Sequence, residues 1–275
     1  MNRLTSLSYA CLMFLFFQSG CEIPKEQPIN AAVDSLDYEI INLDQRFGDC
    51  EDERSNCATI NISYPYFFSD EADSIAISIN KFIMDYLLYY SFGEDKVDNL
   101  NSLIQQYIDN YKDFLSQYPD YSIGWKEQKD VSILLNKHGV LSLKLFDFGF
   151  MGGAHPNTAI AFENFNLQSG KPIKLSDLFK KGYRNSLTRL AEREFQSVRG
   201  LEKGADYDSL GFRFENNQFS LTDNFAMTDT ALIFLYNSYE IAPYAFGQTE
   251  IRLAYNNLRQ MILIDGPLNK IATKE

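Results

Sequence analysis

The chain has 275 residues, with 25 Lys and Arg against 37 Asp and Glu, a net charge of −12 at pH 7. So acidic a chain lacks the basic stripe that displaces counterions from nucleic acid, which excludes that class of partner, and it should draw in cationic ligands or proteins instead. Its 2 histidines and 4 cysteines restrict the catalytic and metal chemistry available.

Residues 1–20 read as a lipoprotein signal peptide. Arg3 gives a positive start, residues 9–17 (YACLMFLFF) form an apolar core, and Ser19 and Gly20 precede Cys21. The core is too short for a spanning helix, which needs about 20 apolar residues. Small residues before a cysteine resemble a lipobox, with Gln18 standing where an aliphatic residue is usual. The expectation is acylation of Cys21; the alternative is secretory cleavage that leaves Cys21 a free thiol. Residues 21–36, polar with two prolines, read as a flexible linker. No later segment is apolar enough to span a membrane, so the expected address is the bacterial cell envelope, periplasmic or surface-exposed, with the membrane reached through a lipid anchor alone.

Strand character covers 37–48 and 57–68. Between them Cys50 and Cys57 bracket an acidic loop, CEDERSNC. Outside a reducing cytoplasm this predicts a disulfide. Zinc is not expected, because two further ligands at suitable spacing are missing. Ser69 or Asp70 can cap a helix whose apolar positions run Ile75, Ile79, Phe82, Ile83, Tyr86 and Leu87, with Gly93 at its end. A second helix spans about 98–117 and stops at Pro119.

The period then changes from 3.6 to 2. Residues 124–136 and 140–150 form strands around a Lys137-His138-Gly139 turn, where Gly139 suits a positive φ. A third strand covers 159–167 and an extended piece covers 172–175, with Ser176 as a cap for the DLFK turn. A third helix, about 184–199, places Leu187, Leu190, Ala191, Phe195 and Val198 on one stripe and ends at Gly200. Further strands are expected at about 218–225, 230–236 and 249–255. Together these elements predict an α+β fold, antiparallel sheet covered on one face by three main helices. The expected division is an N-terminal α+β half, 37–118, and a C-terminal half, 119–265.

Catalytic signatures are absent from the sequence. There is no HExxH or HxxxH zinc pattern, no GxSxG elbow, no phosphate loop and no dinucleotide fingerprint, so neither a metal nor a cofactor is expected. His138 sits in a turn, an ordinary place for an exposed polar residue. The stretch GGAHPN is less ordinary. Gly152 and Gly153 allow φ values closed to other residues, and Pro156 pushes His155 toward extended geometry. His155 then either organises the turn by hydrogen-bonding neighbouring backbone, contacts a ligand, or serves as a catalytic base.

Three ordered motifs carry a resemblance. Gly152, Gly153, Ala154 and His155 form a GGAH turn. Asn166, Gly170, Lys171, Leu175, Asp177, Leu178 and Phe179 fit N-x-x-x-G-K-x-x-x-L-x-D-L-F. Tyr239, Glu240, Ile241, Pro243, Tyr244, Ala245 and Gly247 fit Y-E-I-x-P-Y-A-x-G. With these, residues 120–258 resemble the extracellular, lysozyme-binding domain of RsiV-type anti-sigma factors and the non-catalytic N-terminal portion of PdaC-type peptidoglycan deacetylases; residues 37–118 resemble the family more loosely. The sequence holds neither an internal transmembrane helix with a sigma-binding segment nor a deacetylase catalytic domain.

The resemblance implies a non-enzymatic, lipid-anchored envelope protein that binds a peptidoglycan-related ligand or a protein partner, with a lysozyme-like enzyme as one such partner. The 17 tyrosines, a residue type favoured at interfaces, agree with that. The candidate binding loops carry Gly152, Gly153, His155 and Asn157, and Tyr239, Glu240, Pro243 and Tyr244. The alternative is a peptidoglycan-acting hydrolase or esterase with His155 as base, oriented by a carboxylate.

Overall fold

The structure, a computed structural model, describes residues 33–51, 56–70, 72–89 and 97–272. The predicted signal segment, Cys21 and residues 22–32 of the predicted linker lie outside them, as does Gly93.

Strands β1 (Asp37–Gly48) and β2 (Cys57–Phe68) pair antiparallel along their whole length, from Asp37 against Phe68 to Gly48 against Cys57. Helices α1 (Asp73–Leu87) and α2 (Leu100–Gln117) follow. Each buries one stripe: Ala76, Ile79, Ile83 and Leu87 on α1, and Leu100, Leu103, Tyr107, Ile108 and Tyr111 on α2. The Asn99 side chain accepts the Ser102 N–H at 2.9 Å and so caps the start of α2. Helix α1 ends at Leu87, where its apolar stripe ends, well before Gly93.

Strands β3 (Trp125–Lys137), β4 (Val140–Phe150), β5 (Asn157–Asn166) and the short β6 (Lys171–Pro172) complete a sheet of order β1-β2-β3-β4-β5-β6. One pairing departs from the expected antiparallel sheet: β2 and β3 run parallel, from Ala58 beside Trp125 to Ser63 beside Asp130. Parallel neighbours need a long crossover, and α1 and α2 supply it. Between β3 and β4, His138 and Gly139 both hold positive φ, 59° and 76°, the geometry of a tight two-residue hairpin turn.

A bulge between Ile133 and Leu135 shifts the register of β3. One extra residue turns the following side chains to the other face. Val131 and Ile133 therefore join the core under α1 and α2, with Leu141, Leu143 and Leu145 of β4, whereas Leu135 and Val140 join a second core.

That second core is built on another sheet, β7 (Phe225–Met227), β8 (Ala231–Tyr236) and β9 (Thr249–Ala254). The helices α3 (Leu175–Leu178), α4 (Arg184–Arg199) and α5 (Pro267–Ala272) contribute to it. The fold is α+β with two sheets: α1 and α2 cover one face of the larger, and α4 packs on β9 of the smaller. Several local expectations shift accordingly. Residues 218–224 are irregular and the strand begins at Phe225. Helix α3 starts at Leu175, with the Asp177 carboxylate accepting the Lys174 N–H at 2.9 Å, so Ser176 lies inside it. On α4, Val198 is exposed and Gln196 is buried in its stead, its amide donating to the Tyr207 hydroxyl at 2.8 Å.

The two sheets meet through polar side chains. Asn164 on β5 donates to the Phe225 carbonyl at 2.8 Å, and its Oδ1 accepts the Met227 N–H at 3.0 Å, with Ser142 beside it. The outer edge of β5 is closed the same way. Asn237 accepts the Ile160 N–H and donates to the Ile160 carbonyl, at 2.8 and 2.9 Å. Asn224 accepts the Phe162 N–H at 2.8 Å. Side-chain amides thus satisfy a strand edge that would otherwise be left unpaired.

Candidate functional site

The β4–β5 loop, residues 151–156, and the β8–β9 loop, residues 237–248, meet. Each is rigidly held. Gly152 takes φ 93°, which favours glycine, and a Cβ there would lie 1.7 Å from the Tyr121 hydroxyl, which would have to move away. Gly153, φ 106°, has open space around it. Asn157 opens β5 opposite Gly149.

In the other loop Asn237 is tied to Ile160 within β5, and the Glu240 carboxylate accepts the Asn237 N–H at 2.8 Å. The Pro243 carbonyl accepts the Phe246 N–H and starts a tight turn over Tyr244–Phe246. At the end of α4, Arg199 donates to the carbonyls of Phe246 and Gln248, at 2.9 and 3.1 Å, and also to the Thr249 hydroxyl.

On these supports the structure brings His155, Tyr239 and Tyr244 together. The imidazole stacks on the Tyr244 ring, 3.7 Å between centroids and 11° between planes. Its Nε2 lies 2.9 Å from the Tyr239 hydroxyl, and its Nδ1 lies 3.1 Å from the Pro156 carbonyl. A carbonyl only accepts, so that contact places the proton on Nδ1 and makes Nε2 the acceptor for the Tyr239 O–H. Tyr239 itself sits at φ 69° with 62% of its surface exposed, and His155 is exposed as well. A non-glycine residue held there is strained backbone, of the kind found at functional loops.

Among the described residues no carboxylate bonds His155, and the hydroxyl against it belongs to Tyr239. The arrangement is a solvent-facing aromatic surface. Of the candidate loop residues, Gly152, Asn157, Glu240 and Pro243 shape the loops, while His155, Tyr239 and Tyr244 form the surface they present. Cys50 and Cys57 are bonded, S–S 2.01 Å, across the end of the β1–β2 pair. Cys21 lies outside the described residues. His138 lies 3.6 Å from Asp34, at the β3–β4 turn. Among the described residues no group of three His, Cys, Asp or Glu could hold a metal ion, and no helix is long and apolar enough to cross a membrane.

Sequence reasoning missed a second polar cluster. Glu127 and Lys129 of β3 and Asp147 of β4 lie on the sheet face covered by the helices, and the first two are fully buried. Lys129 Nζ is 2.6 Å from Asp147, 3.1 Å from the Tyr89 carbonyl and 3.7 Å from Glu127. Burial, with the Asp147 charge added, pushes the Glu127 carboxyl up to about 8, against the smaller opposing pull of Lys129. Burial also raises the Tyr86 phenol, with Asp147 next in effect. The signal was present in WKEQKDV: Trp125, Glu127, Lys129 and Val131 alternate on one face, which puts two charges on an apolar side.

Two family models match the chain. The PdaC deacetylase model covers residues 51–158, and the model of DUF3298, described as a protein of unknown function, covers residues 176–256. His155 falls in the first segment and Tyr239 and Tyr244 in the second, so the aromatic surface is assembled from both. An esterase of Mycobacterium tuberculosis is 32% identical over 114 residues, 41% of this chain and 48% of that protein. The chain thus spans about half the length of that curated relative. Among solved structures, a DUF3298-family protein from Bacteroides fragilis superposes with a TM-score of 0.67 at 21% identity, covering 89% of this chain and all of that one. Another, from Pseudomonas aeruginosa, gives 0.59 at 18% identity, over 85% and 97%. At these identities the solved structures share the fold.

Proposed function

We propose that this chain, which carries a PdaC-type segment followed by a DUF3298 segment, is a non-enzymatic envelope protein, lipid-anchored through Cys21, that binds a wall-related ligand on the His155–Tyr239–Tyr244 surface. The observation that carries the reading is the stacked His155–Tyr244 pair with Tyr239 bonded to its edge. Flat aromatic rings with a polar tip suit the apolar faces and hydroxyl rims of sugar rings, and tyrosines suit protein interfaces equally well. The net charge of −12 favours a basic protein occupant, such as a lysozyme-like enzyme, through faster association that salt would weaken. The test is co-sedimentation of the protein with purified peptidoglycan, alongside calorimetric titration with lysozyme at low and moderate salt. Binding to either, lost in Tyr244→Ala, supports the reading. Absence of both, with folded protein, contradicts it.

A second reading is favoured by the esterase relative: ester hydrolysis with His155 as base. The Tyr239–His155 hydrogen bond gives that reading its geometry, although no carboxylate among the described residues orients the ring. Turnover of a nitrophenyl ester that disappears in His155→Ala would support it. Equal rates in both proteins would remove it.

A further inference from the structure

A cavity of about 270 Å³ opens beside the charged cluster, between the end of α1 and strands β4 and β5. Tyr86, Tyr89, Asp147, Asn157 and Asn237 supply its polar and aromatic lining. We propose that this cavity is a cation site that takes a primary ammonium group, with Asp147 as its counter-ion and Tyr86 and Tyr89 as its aromatic walls.

Three observations carry the assignment. The chemistry of the wall already accommodates an ammonium: Lys129 Nζ sits 2.6 Å from Asp147 and 5.8 Å from the centre of the Tyr86 ring. Lys129 approaches from the buried side, whereas the Asp147 side chain keeps 20% of its surface exposed and lines the cavity. Lastly, Glu127 is fully buried and both its carboxyl oxygens lack a hydrogen-bond partner among the described residues. Two carboxyl groups share one lysine, so the cluster has one negative charge more than it can pair when Glu127 is ionised.

A second cation resolves that imbalance. With the cavity empty, the pair Lys129–Asp147 is balanced when Glu127 holds its proton. With an ammonium against Asp147, the balanced cluster has Glu127 ionised and Lys129 shared between both carboxylates. Binding therefore releases a proton from Glu127 to solvent. The groups that face Glu127 and set this exchange are Lys129 on its own strand, Asp147 on β4 and Tyr86 on α1, with Asp130 acting on Tyr86 from β3. The cavity shares Asn157 and Asn237 with the loops that carry the stacked surface, but His155, Tyr239 and Tyr244 do not line it, and the proposal stands whether or not that surface binds a wall ligand.

The experiment is an NMR titration of the full chain with n-butylammonium and, separately, with n-butanol, read at the amides of Gly149, Asn157, Ala159 and Ala161. The ammonium should shift these resonances saturably and butanol should not. Affinity for the ammonium should rise roughly tenfold from about pH 6 to about pH 9, as expected for opposite charges on the order of 10 Å apart at an effective dielectric near 20, with the sign set by the proton that binding releases. Asp147→Asn should abolish the response, and Glu127→Gln should remove its pH dependence. If Asp147→Asn fails to fold, the comparison of ammonium with alcohol in the natural chain decides by itself. Equal affinity for butanol, or an ammonium affinity that does not change with pH, overturns the proposal.

Discussion

The imidazole of His155 lies flat on the ring of Tyr244, 3.7 Å away, and joins a loop between β4 and β5 to a loop between β8 and β9. Each loop is anchored by other residues, so the stacked pair is presented rather than needed to hold the chain together. Aromatic pairs of this kind contribute about 1 kcal/mol beyond buried area. Tyr244→Ala should accordingly lower stability by about that amount, measured by denaturant midpoint. A loss of several kcal/mol would mean that the pair is structural.

Gly152 and Gly153 should respond differently to alanine. A Cβ on Gly152 would collide with the Tyr121 hydroxyl and also meet a positive φ, whereas Gly153 carries the φ penalty alone. Gly152→Ala should cost roughly 3 kcal/mol and Gly153→Ala about 1 kcal/mol. Thermal melts of the two variants give the comparison, and equal midpoints would contradict it.

Asn237 satisfies both backbone groups of Ile160 and also accepts from Gln248 at 3.0 Å. Removing its side chain strands the partly buried Ile160 N–H, while the Ile160 carbonyl keeps the Asn224 amide as a donor at 2.9 Å. Asn237→Ala should destabilise by roughly 1–2 kcal/mol. The Ile160 amide should also exchange faster with solvent deuterium, which distinguishes loss of this pairing from general loosening.

The Glu127 carboxyl, raised from 4.5 to about 8 in the folded chain, binds its proton more tightly there than in the unfolded chain. Its stabilising contribution is complete below the unfolded value and is lost as pH rises through about 8. Stability should fall by a few kcal/mol across that window. Glu127→Gln should flatten the slope, as followed by urea midpoints at a series of pH values. An unchanged slope in the variant would place the titration elsewhere.

Much of the architecture was readable because it is local. The spans of β1, β2 and α4, the tight turn at His138 and Gly139, and the cap at Gly200 follow from period, capping and positive φ. The parallel β2–β3 pair was not read, since a strand's pattern names its buried face and not its neighbour. The two intervening helices were the available clue. Asn224 fell inside the expected strand at 218–225 and Asn237 in the loop after the next one, and neither position signals its role, because closing a strand edge is a property of the assembled fold. At the candidate site the motif loops were visible separately. That His155 would stack on Tyr244 and bond Tyr239 required the second sheet to be set against β5.

The most direct test of the binding account is an NMR titration of the full chain with a soluble peptidoglycan fragment, observing the His155 ring and the amides of Tyr239 and Tyr244. The account predicts saturable shifts centred on these three residues, absent in Tyr244→Ala. A fragment that binds elsewhere, or leaves all three unperturbed at saturating concentration, would contradict it.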